Sequence, residues 1–121
     1  MRIFKIKAFH RWAKSENVTN KMLKNAVTEI AKGLVEADLG AGLVKKRIAR
    51  PNEGKRGGYR TFVGYSEERR SIFFFGFSKS DMDNLEDDQL ANLKLKSNNL
   101  LNMSDEVIQK LIKNGELIEV K

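Results

Sequence analysis

The stretch Ser71–Phe77 reads SIFFFGF, and it constrains the fold more than any other part of the chain. Its four phenylalanines and one isoleucine occupy both parities of the run. As a strand it is therefore apolar on both sides, which places it centrally in a sheet with helices over at least one face. Two further segments suit the same sheet: Leu43–Arg50, strand-like but heavily charged, and Tyr59–Tyr65, which reads YRTFVGY. Pro51-Asn52-Glu53-Gly54 and Gly57-Gly58 supply turn chemistry between these two, and Ser66–Arg70 turns the chain into the phenylalanine strand, so the spacing predicts an antiparallel meander.

Helical spacing frames the meander. Ile3, Lys5 and Lys7 alternate with Phe4 and Ile6 in an opening strand, and Phe9, Trp12 and Ala13 then fall at helical intervals. Thr19 is placed to cap a second helix, Val18 to staple onto Leu23, and Leu23, Val27, Ile30 and Leu34 read as one apolar stripe. Gly40-Ala41-Gly42 follows where a helix-turn-helix DNA reader would need its recognition helix. Leu85, Leu90, Leu93, Leu100 and Leu101 predict a long amphipathic helix. Ser104 caps another, with Met103 placed against Ile108 and Gly115 as its stop, and Leu117–Val120 closes as an edge strand. No linker or repeat divides residues 1–121, so the expected architecture is a single α+β domain: N-terminal helices packed on a small antiparallel sheet, with C-terminal helices beside it.

Composition removes several chemistries. With no cysteine, disulfide scaffolds, thiol nucleophiles and Cys-ligated zinc are excluded; with one histidine, His10, so are two-histidine acid/base pairs and multi-histidine metal sites. Neither a metal nor a cofactor is expected. The apolar run Ile72–Phe75 is far shorter than the ~18 residues of a membrane helix, and MRIFKIKAFHR has no hydrophobic signal region. The expectation is a cytoplasmic protein with no membrane association.

Charge is unevenly distributed. Residues 1–80 hold eighteen basic and seven acidic side chains, a balance of +11, whereas residues 81–121 hold five and nine, a balance of −4. Lys45, Lys46, Arg47, Arg50, Lys55, Arg56 and Arg60 fall within sixteen residues against Glu53 alone. Such a cluster is either a solvated hairpin or a surface visited by a polyanion. Phosphate-loop motifs do not account for it: Gly54-Lys55 is followed by Arg56 and lacks the upstream glycine of a P-loop, and Gly40-Ala41-Gly42 lacks the third glycine of a dinucleotide fingerprint. Strand parity puts Lys45 and Arg47 on one face and Lys46, Ile48 and Arg50 on the other, and an antiparallel return brings Arg60 near Lys45 or Arg47.

Cations clustered on rigid strands suit RNA. Cleavage by the 2′-hydroxyl needs a base for its proton, cations on the phosphate oxygens and an acid for the leaving 5′-oxygen. A lysine held among cations is biased toward its neutral, basic form, while arginine stays charged and clamps phosphate. The same residues also suit holding phosphate without cutting. Tyr59, beside two glycines, is a candidate stacking platform for a splayed base. Tyr65 and Phe77 read as core, and His10 and Trp12 as helix packing.

The run LVKKRIARPNEGKRGGYRTFVGY (Leu43–Tyr65) and the later FFFGFSKSDMDNL (Phe73–Leu85) resemble the RelE/HigB superfamily of toxins from bacterial type II toxin–antitoxin pairs, more narrowly a RelE-type branch with KKR-ARP-GK-GGYRT. The likeness extends from RIFKIKAFHRWAKS at the start to NGELIEV at the end. It implies a compact RelE-like fold and a metal-independent endoribonuclease that enters the ribosomal A site, cuts the mRNA codon there and is neutralised by a cognate antitoxin, commonly a helix-turn-helix DNA-binding protein. By resemblance, Lys45 and Arg47 match the paired basic residues of the first meander strand, where a lysine is the general base. Arg60 matches the arginine on the scissile phosphate, and Lys79 the lysine after the last core strand. Lys46, Arg50, Lys55, Arg56 and Tyr59 complete the expected RNA contacts. Where related branches carry Arg, His or Tyr after that lysine, this chain has Ser80-Asp81-Met82-Asp83-Asn84, so the usual general acid is not apparent. The alternative is a non-catalytic toxin of the same fold that inhibits DNA gyrase or only binds ribosome or RNA.

Overall fold

The computed structural model describes residues 1–50, 58–78 and 85–121. In chain order these form β1 (Arg2–Ile6), α1 (Lys7–Ser15), α2 (Asn20–Ala31), β2 (Ala37–Gly40), β3 (Leu43–Ile48), β4 (Tyr59–Tyr65), β5 (Arg70–Ser78), α3 (Asp87–Leu101), α4 (Asp105–Lys113) and β6 (Leu117–Val120). The six strands make one sheet in the order β2-β3-β4-β5-β1-β6. The α+β class expected from the sequence is what the chain adopts.

The phenylalanine strand sits inside the sheet, with Ile72, Phe73 and Phe74 all at 0% exposure. Both of its faces are covered over this stretch, whereas Phe75 is 45% exposed. Phe9, Leu23, Val27 and Ile30 of α1 and α2 pack with Val44, Val63 and Phe73 on one side. Leu93, Leu100, Leu101 and Ile108 of α3 and α4 pack with Phe4, Leu43, Phe62, Ile72 and Phe74 on the other. The strands β3, β4 and β5 form the antiparallel meander. The sheet is not wholly antiparallel, however, because β1 runs parallel to β5 and antiparallel to β6. The physical reason is the long crossover between β1 and β5, which lets parallel neighbours pair while its helices cover a face.

Two local expectations are corrected. The helix α2 is capped by the Thr19 hydroxyl, which accepts from the Met22 N–H at 3.2 Å, but it stops at Ala31. Gly33, at φ +80°, donates to the Ile30 carbonyl, and Leu34 donates to the Glu29 carbonyl. This Schellman ending turns the chain out of the helix, so Leu34 leaves the apolar stripe and is exposed. The chain then forms β2, a short edge strand the sequence reading did not anticipate.

Two buried cations fasten helices to the sheet. Lys46 extends from β3 to the end of α2, where its ammonium lies 2.7 Å from Glu29 Oε1 and 2.7 Å from the Leu34 carbonyl. Arg70, at the start of β5, donates through Nη1 to the carbonyls of Leu100, Leu101 and Met103 and through Nη2 to Asp105 Oδ1 at 3.0 Å. It therefore satisfies the last carbonyls of α3 and holds the first turn of α4, which is itself capped by Ser104.

On the α1 side, Trp12 packs closely against the sheet because position 76 has no side chain: a methyl group there would run into the Trp12 ring. The indole in turn packs on Phe9 at 5.3 Å and edge-on to Tyr59 at 5.2 Å between ring centroids. Gly76→Ala should therefore lower stability by about 1–3 kcal/mol, the usual cost of overpacking, read as a lower urea midpoint with an unchanged slope.

Candidate active site

The cross-strand register of β3 and β4 sets Arg47 directly opposite Arg60 and Lys45 opposite Phe62. All three cations therefore stand on the sheet face that carries α3 and α4. Across the other edge of β3, the backbone N–H of Glu36 donates to the Lys45 carbonyl at 2.8 Å, just ahead of β2. The Glu36 carboxylate lies where the three cations converge. Arg47 Nη2 donates to Oε1 at 3.0 Å, Arg60 Nε is 3.3 Å from Oε2, and Lys45 Nζ is 4.0 Å from the same oxygen.

This quartet is graded in burial. The Arg60 side chain is 4% exposed, Lys45 13%, Glu36 20% and Arg47 42%, so the cluster opens to solvent on the Arg47 side and closes beneath Arg60. Two guanidinium nitrogens, Arg60 Nη1 and Arg47 Nε, are buried without a hydrogen-bond acceptor among the described residues. Burial alone would raise the Glu36 carboxyl. The hydrogen bond from Arg47 and the charges of Lys45, Arg47 and Arg60 outweigh it and hold the carboxyl below its ordinary value. With Glu36 ionised, the four side chains sum to +2, and an excess of donors surrounds a pair of anionic oxygens. That is the geometry that holds a phosphate.

The other expected site residues divide. Lys46 is on the opposite face, buried and ion-paired beneath α2, so it belongs to the scaffold and not to the cation cluster. Tyr59 is 5% exposed: the Arg50 guanidinium lies 4.8 Å from its ring centroid, Trp12 meets it edge-on, and its hydroxyl donates to the Glu16 carbonyl at 3.2 Å. It thus offers no open ring for a base. Arg50 is on the Tyr59 face, away from Arg60. Lys55, Arg56, Lys79 and Asp81 lie outside the described residues. His10 is in α1, where burial and then the charges of Lys5 and Lys14 push its pKa down.

Glu36 is the residue that sequence reasoning missed. It is one acid in an aperiodic stretch between a helix and an unanticipated strand, and only the pairing of β2 with β3 reveals its partners. Among the described residues, no group of three or more His, Cys, Asp or Glu side chains is placed to hold a metal ion, and no helix is long and apolar enough to cross a membrane.

Because the Glu36 carboxyl titrates below its unfolded value of 4.5, its ion pairs contribute stability fully above that pH and lose it as pH falls through the folded value. Replacing it by Gln should cost about 1–3 kcal/mol at neutral pH. In denaturation series at descending pH, the gap between wild type and Glu36→Gln should stay constant to about pH 5 and close below pH 4.5. Lys46→Ala should likewise lose about 1–3 kcal/mol while leaving the salt dependence of any polyanion binding unchanged.

Residues 1–120 match the family described as the RelE toxin of the RelE/RelB toxin–antitoxin system. No curated protein matches the chain.

Proposed function

Since the chain belongs to the RelE toxin family, whose members are partnered by an antitoxin, we propose that it is an endoribonuclease that cleaves mRNA on the ribosome and so arrests translation. The observation that carries this reading is the convergence of Lys45, Arg47 and Arg60 on the two oxygens of one carboxylate, Glu36. Three cations on adjacent, hydrogen-bonded strands are preorganised, so little rearrangement is needed as charge develops on a phosphate in the transition state.

In this mechanism Lys45, acting as the uncharged amine, takes the proton of the RNA 2′-hydroxyl as that hydroxyl's oxygen attacks the adjacent phosphorus. The bond to the 5′-oxygen breaks as that oxygen takes a proton from solvent, leaving a 2′,3′-cyclic phosphate on one fragment and a 5′-hydroxyl on the next. Arg60, buried and fixed, holds one non-bridging oxygen, and Arg47, at the solvent edge, holds the other. A metal is not required, because the arginines neutralise the charge that a metal would otherwise take. Lys79, next in sequence after β5 and outside the described residues, completes the proposed set by resemblance.

Codon-frame cutting is the test. Primer extension on a reporter mRNA in a translating extract should show cleavages in the reading frame that vanish when a drug fills the A site. Arg60→Lys, which keeps the charge and removes the planar fork, should fold and lose at least about tenfold in cutting, the scale of a single lost charge-assisted hydrogen bond. Arg47→Ala should lower the log–log salt slope of single-stranded RNA binding by about 0.7. An intact message beside stalled ribosomes would reduce the protein to a binder, and inhibited supercoiling with translation unaffected would favour the gyrase reading.

A further inference from the structure

The site contains its own anion. Glu36 is not on either strand that carries the cations; it sits between the Gly33 turn that ends α2 and the first residue of β2, and its carboxylate enters the cluster from the sheet edge. There it takes an Arg47 hydrogen bond at 3.0 Å and approaches Arg60 Nε at 3.3 Å and Lys45 Nζ at 4.0 Å. These are the groups that a phosphate needs. A phosphate oxygen held by the same Arg47 and Arg60 nitrogens would occupy the space of the Glu36 oxygens, and two anions at hydrogen-bond distance from one another repel strongly. Resting on the phosphate reading above, we propose that Glu36 is a resident surrogate for the scissile phosphate: it fills the seat in the free protein, and the RNA phosphate must displace it to bind.

Two features make the exchange favourable for phosphate and unfavourable for weaker anions. A carboxylate has two oxygens, whereas Arg47 and Arg60 together present ten N–H donors, and Arg60 Nη1 and Arg47 Nε remain without an acceptor while Glu36 is in place. A tetrahedral phosphate, with oxygens pointing in more directions, reaches donors that the planar carboxylate leaves unused. The displacement also leaves the scaffold intact, since the register of β3 with β4 runs from Leu43–Gly64 to Ile48–Tyr59 without Glu36. The cations stay together in the absence of substrate, and the seat is closed to stray anions until one of the right shape arrives. The cost is affinity: binding is weakened by the fraction of molecules in which the seat is occupied.

The test compares the wild type with Glu36→Gln, Glu36→Asp and Glu119→Gln. The last removes a carboxylate bound to Arg2 at 2.9 and 3.0 Å, and so changes net charge equally elsewhere. Two probes are used: inorganic phosphate, followed through arginine Nε–Hε resonances, and a single-stranded RNA decamer whose 2′-hydroxyls are replaced by hydrogen, followed by anisotropy. Thermal denaturation shows that each variant is folded. Glu36→Gln should bind both probes about tenfold or more tightly, Glu36→Asp, too short to fill the seat, should bind with an intermediate gain, and Glu119→Gln should stay within about twofold, the size of a screened distant charge. Equal or weaker binding by folded Glu36→Gln or Glu36→Asp overturns the proposal and makes Glu36 a brace or a reacting group. Equal gains in Glu36→Gln and Glu119→Gln overturn it too, as bulk electrostatics. The two readings fail separately. Tighter phosphate binding without message cleavage keeps the surrogate and rejects the nuclease, and cleavage with unaltered affinity does the reverse.

Discussion

Burial of the Ile72–Phe74 stretch of β5 on both faces is the constraint from which the rest of this structure follows. Ile72, Phe73 and Phe74 have no solvent-facing side, so α1 and α2 must cover one surface and α3 and α4 the other. A strand so placed also needs a hydrogen-bonded neighbour on each flank, and β4 and β1 fill those positions. The register shift between Phe62 and Val63, where Phe62 pairs with Phe75 and Val63 with Phe73, lets the strand carry bulky rings on one side and still leave Gly76 beneath Trp12.

Polarity then increases outward from this strand. On β4, Phe62 faces the α3–α4 core while Arg60, two residues earlier on the same face, is already beyond it. On β3, Leu43 is core, and Lys45 and Arg47 follow at the same parity. The charged cluster thus lies where the hydrophobic layer ends, on strands rigid enough to hold like charges together. Removing Arg60 from water would be costly for an isolated cation; a carboxylate beside it makes the placement tolerable. Stability and function draw on the same four side chains.

Much of this was legible because it depends on alternation. The parity of Leu43–Arg50 separated Lys45 and Arg47 from Lys46, and the separation is real: Lys46 is bound under α2 while the other two meet Arg60. The capping residues Thr19 and Ser104 and the stop at Gly115 are local chemistry and appear where the sequence puts them. What escaped was mostly non-local, with Leu34 the local exception. Leu34 keeps helical spacing with Ile30, and only the left-handed Gly33 takes it out of the helix. Ala37–Gly40 is too short to alternate convincingly, so β2, and with it Glu36, was invisible. Tyr59 beside two glycines looked open, but Trp12 and Arg50, distant in the chain, enclose it. The parallel pairing of β1 likewise depends on a partner some seventy positions away.

Arg70 carries an implication for how this chain can drift in sequence. One guanidinium spans three carbonyls at the end of α3 and a carboxylate at the start of α4. A lysine offers a single nitrogen and cannot reach both groups at once, so charge conservation is no substitute for shape here. The junction between the two C-terminal helices is thus bridged by one planar side chain. Any variant that re-aims α4 has to rebuild that junction first.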